Sequence, residues 1–252
     1  MTELPDDSVV VFINKDAVRL DELFLNDNWY FVELFDPVYM IIAQGKNLNW
    51  LVKIHNTEKY CRREAENLNR LKKVDNVPKV LAVGFSSRFN YIIISKAIGT
   101  DLHEYLETVG NFSETDLKPI ALQLLISIGK IHSQKVIHKD IKPENIIYDR
   151  STGRITIIDF EGKETEEYRS PEQIVGKNIT SKTDIWSIGV TLYKLLAGDT
   201  PFHNDRETLE KPLRFSKNWS ENLKDFLGSL IERESLLRYS AKEAINHVWF
   251  HE

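Results

Sequence analysis

The chain has 252 residues, a length that fits one domain or two closely packed lobes and allows a sizeable core. Hydrophobic residues make up 42% and charged residues 28% of the sequence, a globular balance that excludes extensive disorder. The formal net charge of −5 argues against direct nucleic-acid binding. With no membrane-length apolar run, no signal-peptide profile and the single Cys61, we expect no membrane association, no disulfide framework and an intracellular, cytoplasmic or nuclear setting.

Segments rich in β-forming residues dominate the first hundred residues. One helical stretch at about 58–73 interrupts them, with Leu68 and Leu71 among apolar residues near helical spacing. The pattern therefore predicts one helix among five strands, at residues 29–35, 38–43, 48–54, 79–85 and 91–95.

After Gly99 the pattern becomes mainly helical, with two short strands at 146–148 and 155–158. The change predicts two lobes joined near residues 96–99: a first lobe over 1–96, with an N-terminal extension to about residue 28, and a second over 97–252. Helices of the second lobe are predicted at 101–108, 114–134, 182–197, 220–234 and 241–248.

Residues 136–145, which read VIHKDIKPEN, carry the most informative pattern. Apolar flanks bracket a short loop that holds an acid, a base and an amide: Asp140, Lys142 and Asn145. Asp159 directly follows the strand-like residues 155–158, so its carboxylate is expected at the end of a strand. Carboxylate and amide oxygens on adjacent loops bind hard cations such as Mg²⁺. Taken singly, Asp140 and Asp159 are also consistent with turn or capping residues.

In combination these motifs resemble the eukaryotic protein kinase family. Residues 138–145, HKDIKPEN, are similar to its catalytic loop, in which His-Arg-Asp precedes Asn by four further positions. Four other features match in order: residues 159–161 (DFE) the Asp-Phe-Gly motif, residues 170–172 (SPE) the Ala-Pro-Glu motif, residues 184–189 (DIWSIG) the buried helix that anchors the catalytic loop, and Arg238 the partner of Glu172.

The first lobe carries the family's ion pair. Lys53 resembles the strand lysine and Glu64 its partner on the helix. Glu64 is preferred to Glu66 because Leu68 and Leu71 follow it at the family's helical spacing. Lys53 and Glu64 are only eleven positions apart, which predicts a short helix or a tight connection, and the front of this helix is a possible contact surface for a partner.

The resemblance implies a bilobal α+β fold, with a five-stranded antiparallel first lobe carrying one helix and a mainly helical second lobe. It implies transfer of the γ-phosphate of Mg-ATP to serine or threonine hydroxyls of proteins. Asp140 would orient the substrate hydroxyl or accept its proton, and Lys142, a serine/threonine-type residue at this position, would neutralise the moving phosphate. The other implied roles are nucleotide binding by Lys53, Glu64, Ile94, Lys96 and Ile98, and binding of Mg²⁺ by Asn145 and Asp159.

Two stretches depart from the family pattern. No glycine precedes Gly45, and Asp36 and Pro37 stand where a glycine-rich loop would cover the phosphates, which predicts weaker nucleotide binding. From Asp159 to Glu172 the activation segment is short, and its predicted phosphate acceptors are Thr165, Tyr168 and Ser170.

The same segment is acidic, and Lys139 replaces the arginine that in many kinases pairs with an activation-loop phosphate. One interpretation pairs a glutamate with Lys139 and holds the segment without phosphorylation; another is a solvated charge run. A third directs the glutamates to a basic substrate. The residues concerned are Glu164, Glu166 and Glu167.

Three functions remain open: an active serine/threonine protein kinase, a nucleotide-binding pseudokinase scaffold, and a small-molecule phosphotransferase of the aminoglycoside-kinase type. Ile94, which the resemblance places at the nucleotide, is equally consistent with a residue that only packs in the core of a strand. The small size, the absent glycine-rich loop and the short activation segment are similar to those of the small serine/threonine kinases of baculoviruses. For such a kinase, a basic DNA-packaging protein would be a substrate. The oligomeric state is left open.

Overall fold

The computed structural model describes residues 10–13, 16–19, 29–35, 38–43, 46–85 and 90–251, with side chains from Leu51 onward. Asp36 and Pro37 lie outside the described residues, so the prediction of weaker nucleotide binding at that turn stays a prediction. Within the region predicted as an N-terminal extension, Val10–Ile13 and Asp16–Arg19 pair as antiparallel strands.

The described residues form an α+β fold. The strands are β1 Val10–Ile13, β2 Asp16–Arg19, β3 Trp29–Phe35, β4 Val38–Ala43, β5 Lys46–His55, β6 Val80–Phe85, β7 Asn90–Ser95, β8 Thr100–Asp101, β9 Ile146–Asp149 and β10 Arg154–Ile157. The α-helices are α1 Glu58–Arg70, α2 Leu102–Val109, α3 Glu114–Ser133, α4 Pro171–Ile174, α5 Ser181–Ala197, α6 Asp205–Glu210, α7 Glu221–Leu230 and α8 Ala241–Ile245.

The chain divides into two compact units, residues 1–69 with 78–97 and residues 70–77 with 98–252. The segment 70–77, which the sequence analysis assigns to the first lobe, groups with the second unit. Asn76 explains this grouping, because its carbonyl accepts a hydrogen bond from the Ile157 amide at 2.9 Å and its side-chain amide donates to Ser127 Oγ at 2.9 Å.

The first unit is built on an antiparallel sheet in the order β3-β4-β5-β7-β6. In the pairing of β5 with β7, Leu51 lies opposite Ile94 and Lys53 opposite Ile92. Helix α1 buries Cys61, Glu64, Ala65 and Leu68, which share one face at helical spacing. The sheet and this helix fix the positions from which Lys53 and Glu64 extend.

The connection from β5 to α1 is tight. Strand β5 ends at His55 and α1 begins at Glu58, so residues 56 and 57 alone join them. The helix has 13 residues. Of the two explanations for the close spacing of Lys53 and Glu64, the short connection is therefore the one that the structure contains.

The second unit is mainly helical, with its core around α3 and α5. Ser113 caps α3 by accepting a hydrogen bond from the Asp116 amide, and α5 buries most of its residues. One described core cluster joins α5 to the activation segment and to the loop before α6, through Tyr168, Trp186, Val190, Phe202 and Ile231. Within the described residues, no helix combines the length and apolar character of a membrane span.

Helix α7 ends at Leu230, four residues before the predicted end. The chain turns there because the carbonyls of Glu232 and Arg233 accept hydrogen bonds from the Arg238 guanidinium, at 2.7 and 3.3 Å, outside any helical ladder. The last predicted helix likewise stops at Ile245, and a 3₁₀ turn over Val248–Phe250 follows.

Candidate active site

The loop before β9 gathers an acid, a base and an amide around Asp140, which is almost fully buried. Asn145 Nδ2 donates to Asp140 Oδ2 at 3.2 Å and to its carbonyl at 2.8 Å. Lys142 Nζ lies 3.2 Å from the same Oδ2. The sequence-predicted residues Asp140, Lys142 and Asn145 are thus in direct contact, and these contacts fix the carboxylate.

Asp184, near the start of α5, anchors this loop. Its fully buried carboxylate accepts hydrogen bonds from the backbone amides of His138 at 2.9 Å and Lys139 at 2.7 Å, and lies 2.8 Å from His132 Nε2. Burial by itself raises the pKa of Asp184, but the hydrogen bond and the charge of His132, with the charge of His138, hold the pKa below its ordinary value. The carboxylate therefore stays ionised, as an acceptor for two backbone amides requires.

His138 has a structural environment. Its side chain is buried, Nε2 lies 2.8 Å from the Ile158 carbonyl, and the ring centroid is 4.7 Å from that of Phe160. The ring therefore connects the catalytic loop to the residues on both sides of Asp159. This packing gives the buried His138 ring a structural role in the loop.

Asn145 and Asp159 lie at the same end of the hairpin formed by β9 and β10. Ile146 pairs with Ile157, and the Ile158 amide donates to the Asn145 carbonyl at 3.0 Å. The amide nitrogen of Asn145 binds Asp140, so its amide oxygen is the atom that could bind a metal. An amide oxygen and a carboxylate on neighbouring backbones form a donor set suited to Mg²⁺.

Two residues of the loops have backbone conformations that side chains other than glycine rarely adopt. Lys139 has φ of +74° and Asp159 has φ of +67°. Such conformations cost about 1–3 kcal/mol each and cluster at functional sites. Lys135 and Asn178 also adopt positive φ, and at the site the two residues concerned are the one before Asp140 and Asp159, which lies two residues after the end of β10.

The predicted ion pair of the first unit is present. Lys53 Nζ, on β5, lies 3.1 Å from Glu64 Oε2 on α1, and the Glu64 side chain is 1% exposed. Glu66 is exposed instead. The helical spacing of Leu68 and Leu71 therefore identified the correct glutamate.

Comparison with known proteins decides which family this arrangement represents. The sequence pattern of the protein kinase domain matches residues 38–250. The chain belongs to the protein kinase family.

Its relatives include several protein kinases. It is 30% identical to Aurora kinase from Dictyostelium discoideum over 216 residues, which are 79% of this chain and 56% of that protein. It is 32% identical to serine/threonine-protein kinase gad8 from Schizosaccharomyces pombe over 64% of this chain and 32% of that protein. It is 31% identical to calcium/calmodulin-dependent protein kinase type 1 from Macrobrachium nipponense, over 63% of this chain and 53% of that protein.

The chain thus spans between about a third and somewhat over half of the length of these relatives. Family membership in the protein kinases also decides against the small-molecule phosphotransferase alternative.

Two of the three hydroxyls predicted to accept phosphate in the activation segment are buried. Tyr168 and Ser170 are buried, and burial raises the pKa of the Tyr168 hydroxyl far above its ordinary value. Ser170 forms a capping box with Gln173 at the start of α4. The hydroxyls of Tyr168 and Ser170 are therefore inaccessible in this structure, so the expectation that they accept phosphate is wrong here.

Thr165, the third predicted acceptor, contacts the catalytic loop. Its amide donates to Asp140 Oδ1 at 3.0 Å, and its hydroxyl accepts from Lys142 Nζ at 2.7 Å. This role of Thr165 is not predicted by the sequence pattern. Nothing local distinguished Thr165 from the other hydroxyls of the segment, because the contact depends on the chain returning to a loop 25 residues earlier.

The predicted pairing of a glutamate with Lys139 is wrong. Among the described residues no carboxylate lies within ion-pair distance of the Lys139 side chain. Glu164 and Glu166 are exposed, whereas Arg169 Nη2 lies 2.9 Å from both carboxylate oxygens of Asp205 on α6. The ion pair that the segment does form in this region therefore joins Arg169 to α6 and does not involve Lys139.

The end of the segment is held by a buried ion pair. Arg238 Nη1 and Nη2 donate to the two carboxylate oxygens of Glu172 at 2.6 and 3.0 Å, and Thr183 Oγ1 donates to Glu172 Oε1 at 3.0 Å. Burial by itself raises the pKa of Glu172, but the hydrogen bonds and charge of Arg238, together with the hydrogen bond from Thr183, hold the net pKa below its ordinary value. The predicted Glu172–Arg238 contact is thus present.

The residues predicted to border adenine have different environments. Ile94 is buried in β7, which agrees with its alternative interpretation as a residue of the strand core. Lys96 is half-buried and belongs to the first unit. Ile98 is 70% exposed and belongs to the second unit. Their roles in nucleotide binding stay predictions.

Proposed function

We propose that this chain is an active serine/threonine protein kinase that transfers the γ-phosphate of Mg-ATP to protein hydroxyls. The observation that carries the proposal is the contact network around Asp140, in which Asn145, Lys142 and Thr165 all bind the carboxylate or one another. Phosphoryl transfer depends mainly on positioning and charge neutralisation, and this network supplies both.

Asp140 orients the substrate hydroxyl or accepts its proton. Hydrogen bonds from the Thr165 amide and the Asn145 side chain hold the carboxylate in one orientation, which favours a productive position for the hydroxyl. Lys142 Nζ, 3.2 Å from Asp140 Oδ2, places a positive charge where negative charge develops on the moving phosphoryl group.

The nucleotide and metal roles rest on the matching motifs together with the donor geometry. Asn145 and Asp159 would hold Mg²⁺, which, when bound, neutralises charge on the phosphates. Lys53 would bind the α and β phosphates, with Glu64 fixing the lysine. Ile94 with Lys96 and Ile98 would border the adenine ring, in a five-stranded first lobe that carries one helix.

We further propose that the kinase acts without phosphorylation of its activation segment. Contacts made by the segment itself support this: Thr165 with the catalytic loop, Arg169 with Asp205, and Glu172 with Arg238. No phosphate is needed in any of them. In many kinases a phosphate holds the activation segment in place, and here these contacts would hold it instead.

A pseudokinase scaffold is the second candidate, and one observation favours it. No glycine precedes Gly45, so bare backbone is unavailable to approach the phosphates from that part of the sequence. The filled charged positions favour turnover instead, because a scaffold has no need of Lys53, Asp140 and Asp159 together.

The substrate class follows from the exposed acidic residues Glu164 and Glu166, which favour proteins rich in arginine or lysine near the acceptor hydroxyl. An intracellular setting fits the single cysteine, Cys61. The likeness to small baculovirus kinases stays a prediction.

The test is transfer of γ-labelled phosphate from Mg-ATP to a panel of basic and acidic serine/threonine acceptors, with Asp140→Asn purified in parallel. We expect transfer by the wild type that disappears in the variant, and faster transfer to basic acceptors. Equal rates on both acceptor classes would remove the substrate proposal. An absence of transfer with a rise in melting temperature on addition of Mg-ATP would identify a pseudokinase.

A further inference from the structure

A second residue of β5 contacts the same carboxylate as Lys53. His55 follows Lys53 by two positions, so both side chains leave the strand on one face. His55 Nε2 lies 3.0 Å from Glu64 Oε2, and Lys53 Nζ lies 3.1 Å from the same oxygen. The side chains of His55 and Glu64 are each only 1% exposed.

We propose that His55 is a positioning residue for nucleotide binding: its Nε2, 3.0 Å from Glu64 Oε2, interacts with the buried carboxylate and so holds the group that orients Lys53. The proposal rests on the proposed function, in which Lys53 binds the phosphates of ATP. A carboxylate only accepts hydrogen bonds, so the contact requires that Nε2 carry the proton.

The need for a second donor follows from the demands on Lys53. When its ammonium binds a phosphate, it shares its three protons between the nucleotide and Glu64. A buried carboxylate that loses part of its pairing is costly. His55 stays beside Oε2 at contact distance whatever Lys53 binds, so Glu64 retains its orientation while Lys53 turns to the phosphates.

The backbone makes His55 suited to this task. It is the last residue of β5, and residues 56 and 57 alone separate it from α1. A short connection leaves few conformations between the strand and the helix. The contact of His55 with Glu64, the seventh residue of α1, therefore ties the helix to the strand that carries Lys53.

The experiment compares His55→Leu with His55→Gln in the full chain. Glutamine keeps an N–H donor at a reach similar to Nε2, and leucine fills the space without a donor. We expect kcat/KM for Mg-ATP to fall about tenfold in His55→Leu, mostly through KM, which is the scale of one hydrogen bond to a buried charge. His55→Gln restores most of this loss.

A double-mutant cycle separates positioning from packing. In a Glu64→Gln background, where the carboxylate charge is gone, we expect His55→Leu to have little further effect on KM. If His55→Leu does not fold, His55→Asn, whose amide is too short for the contact, replaces it against His55→Gln. Unchanged KM in the donor-free variant, equal impairment of both variants, or full additivity with Glu64→Gln would overturn the proposal.

Direct measurement of Mg-ATP affinity by calorimetry distinguishes this proposal from the proposed function. If the wild type binds Mg-ATP without turning it over, the kinase proposal fails, and His55 is judged by the Kd of its variants. Weaker binding in His55→Leu with recovery in His55→Gln then supports the positioning role. If the wild type binds no nucleotide, both proposals are overturned.

Discussion

The backbone amide of Thr165 donates a hydrogen bond to Asp140 Oδ1 at 3.0 Å, across 25 residues of sequence. This contact joins the activation segment to the catalytic loop through the residue proposed to orient the substrate. The Thr165 hydroxyl adds a second link through Lys142 Nζ at 2.7 Å. The order of the segment and the position of the catalytic carboxylate are therefore coupled without a phosphate.

Valine has nearly the same shape as threonine but lacks the hydroxyl, so a valine at position 165 removes only that group. We expect Thr165→Val to lower kcat about tenfold, because Lys142 loses an acceptor and is less well placed for the γ-phosphate. Thr165→Ser, which keeps the hydroxyl, should stay near wild type. Phosphate-transfer rates at saturating Mg-ATP measure both variants. A kcat of Thr165→Val equal to that of wild type would mean that the backbone contact alone positions the site.

The buried pair of Glu172 and Arg238 should dominate the stability of the second unit. Arg238→Leu leaves a buried carboxylate without its partner, which typically costs about 3–5 kcal/mol in the free energy of unfolding. Chemical denaturation monitored by tryptophan fluorescence measures this loss. The matched control is Arg206→Leu, which removes an exposed pair with Glu210 on α6 and should leave stability unchanged within error. Equal effects of both variants would contradict the assignment.

Stability should decrease at acid pH through two identified carboxylates. The folded-state pKa values of Asp184 and Glu172 lie below their ordinary values of 3.8 and 4.5. Their contributions are therefore complete above the unfolded-state values and are lost as pH falls through the lowered folded-state values. Unfolding experiments between about pH 7 and pH 3 should show this loss below about pH 4.5.

The variant Glu172→Gln isolates one part of that acid transition. It should be less stable than wild type at neutral pH, and the difference should shrink as pH falls, because the wild-type carboxylate becomes protonated and the charge interaction with Arg238 disappears. A difference that stays constant over the whole pH range would show that shape, not ionisation, determines the role of Glu172.

Activity should not depend on phosphorylation of the activation segment. We expect protein treated with phosphatase, and checked by mass spectrometry, to retain its full transfer rate. Disrupting the ion pair that joins the segment to α6, by Arg169→Gln or Asp205→Asn, should lower the rate. The double variant should be no worse than either single one, because both remove the same contact. Loss of activity on phosphatase treatment would overturn the prediction.

The sequence by itself determined the elements whose cause is local. The periodicity that predicts a helix over 114–134 depends on neighbouring residues, and α3 spans Glu114–Ser133. The resemblance to protein kinases implied a lysine–glutamate pair, and the spacing of Leu68 and Leu71 then selected Glu64 over Glu66, since residues on one helical face are read from a single stretch of chain.

The tertiary structure decided the contacts between distant segments. The partner of Thr165, the ion pair of Arg169 with Asp205, and the lack of a carboxylate at Lys139 among the described residues depend on how the activation segment returns to the catalytic loop and to α6. His55 belongs to this group as well, because its contact with Glu64 requires the strand and helix to be packed. Local patterns carry no information about such distances, so motif spacing identified the residues of the site, and the fold selected their partners.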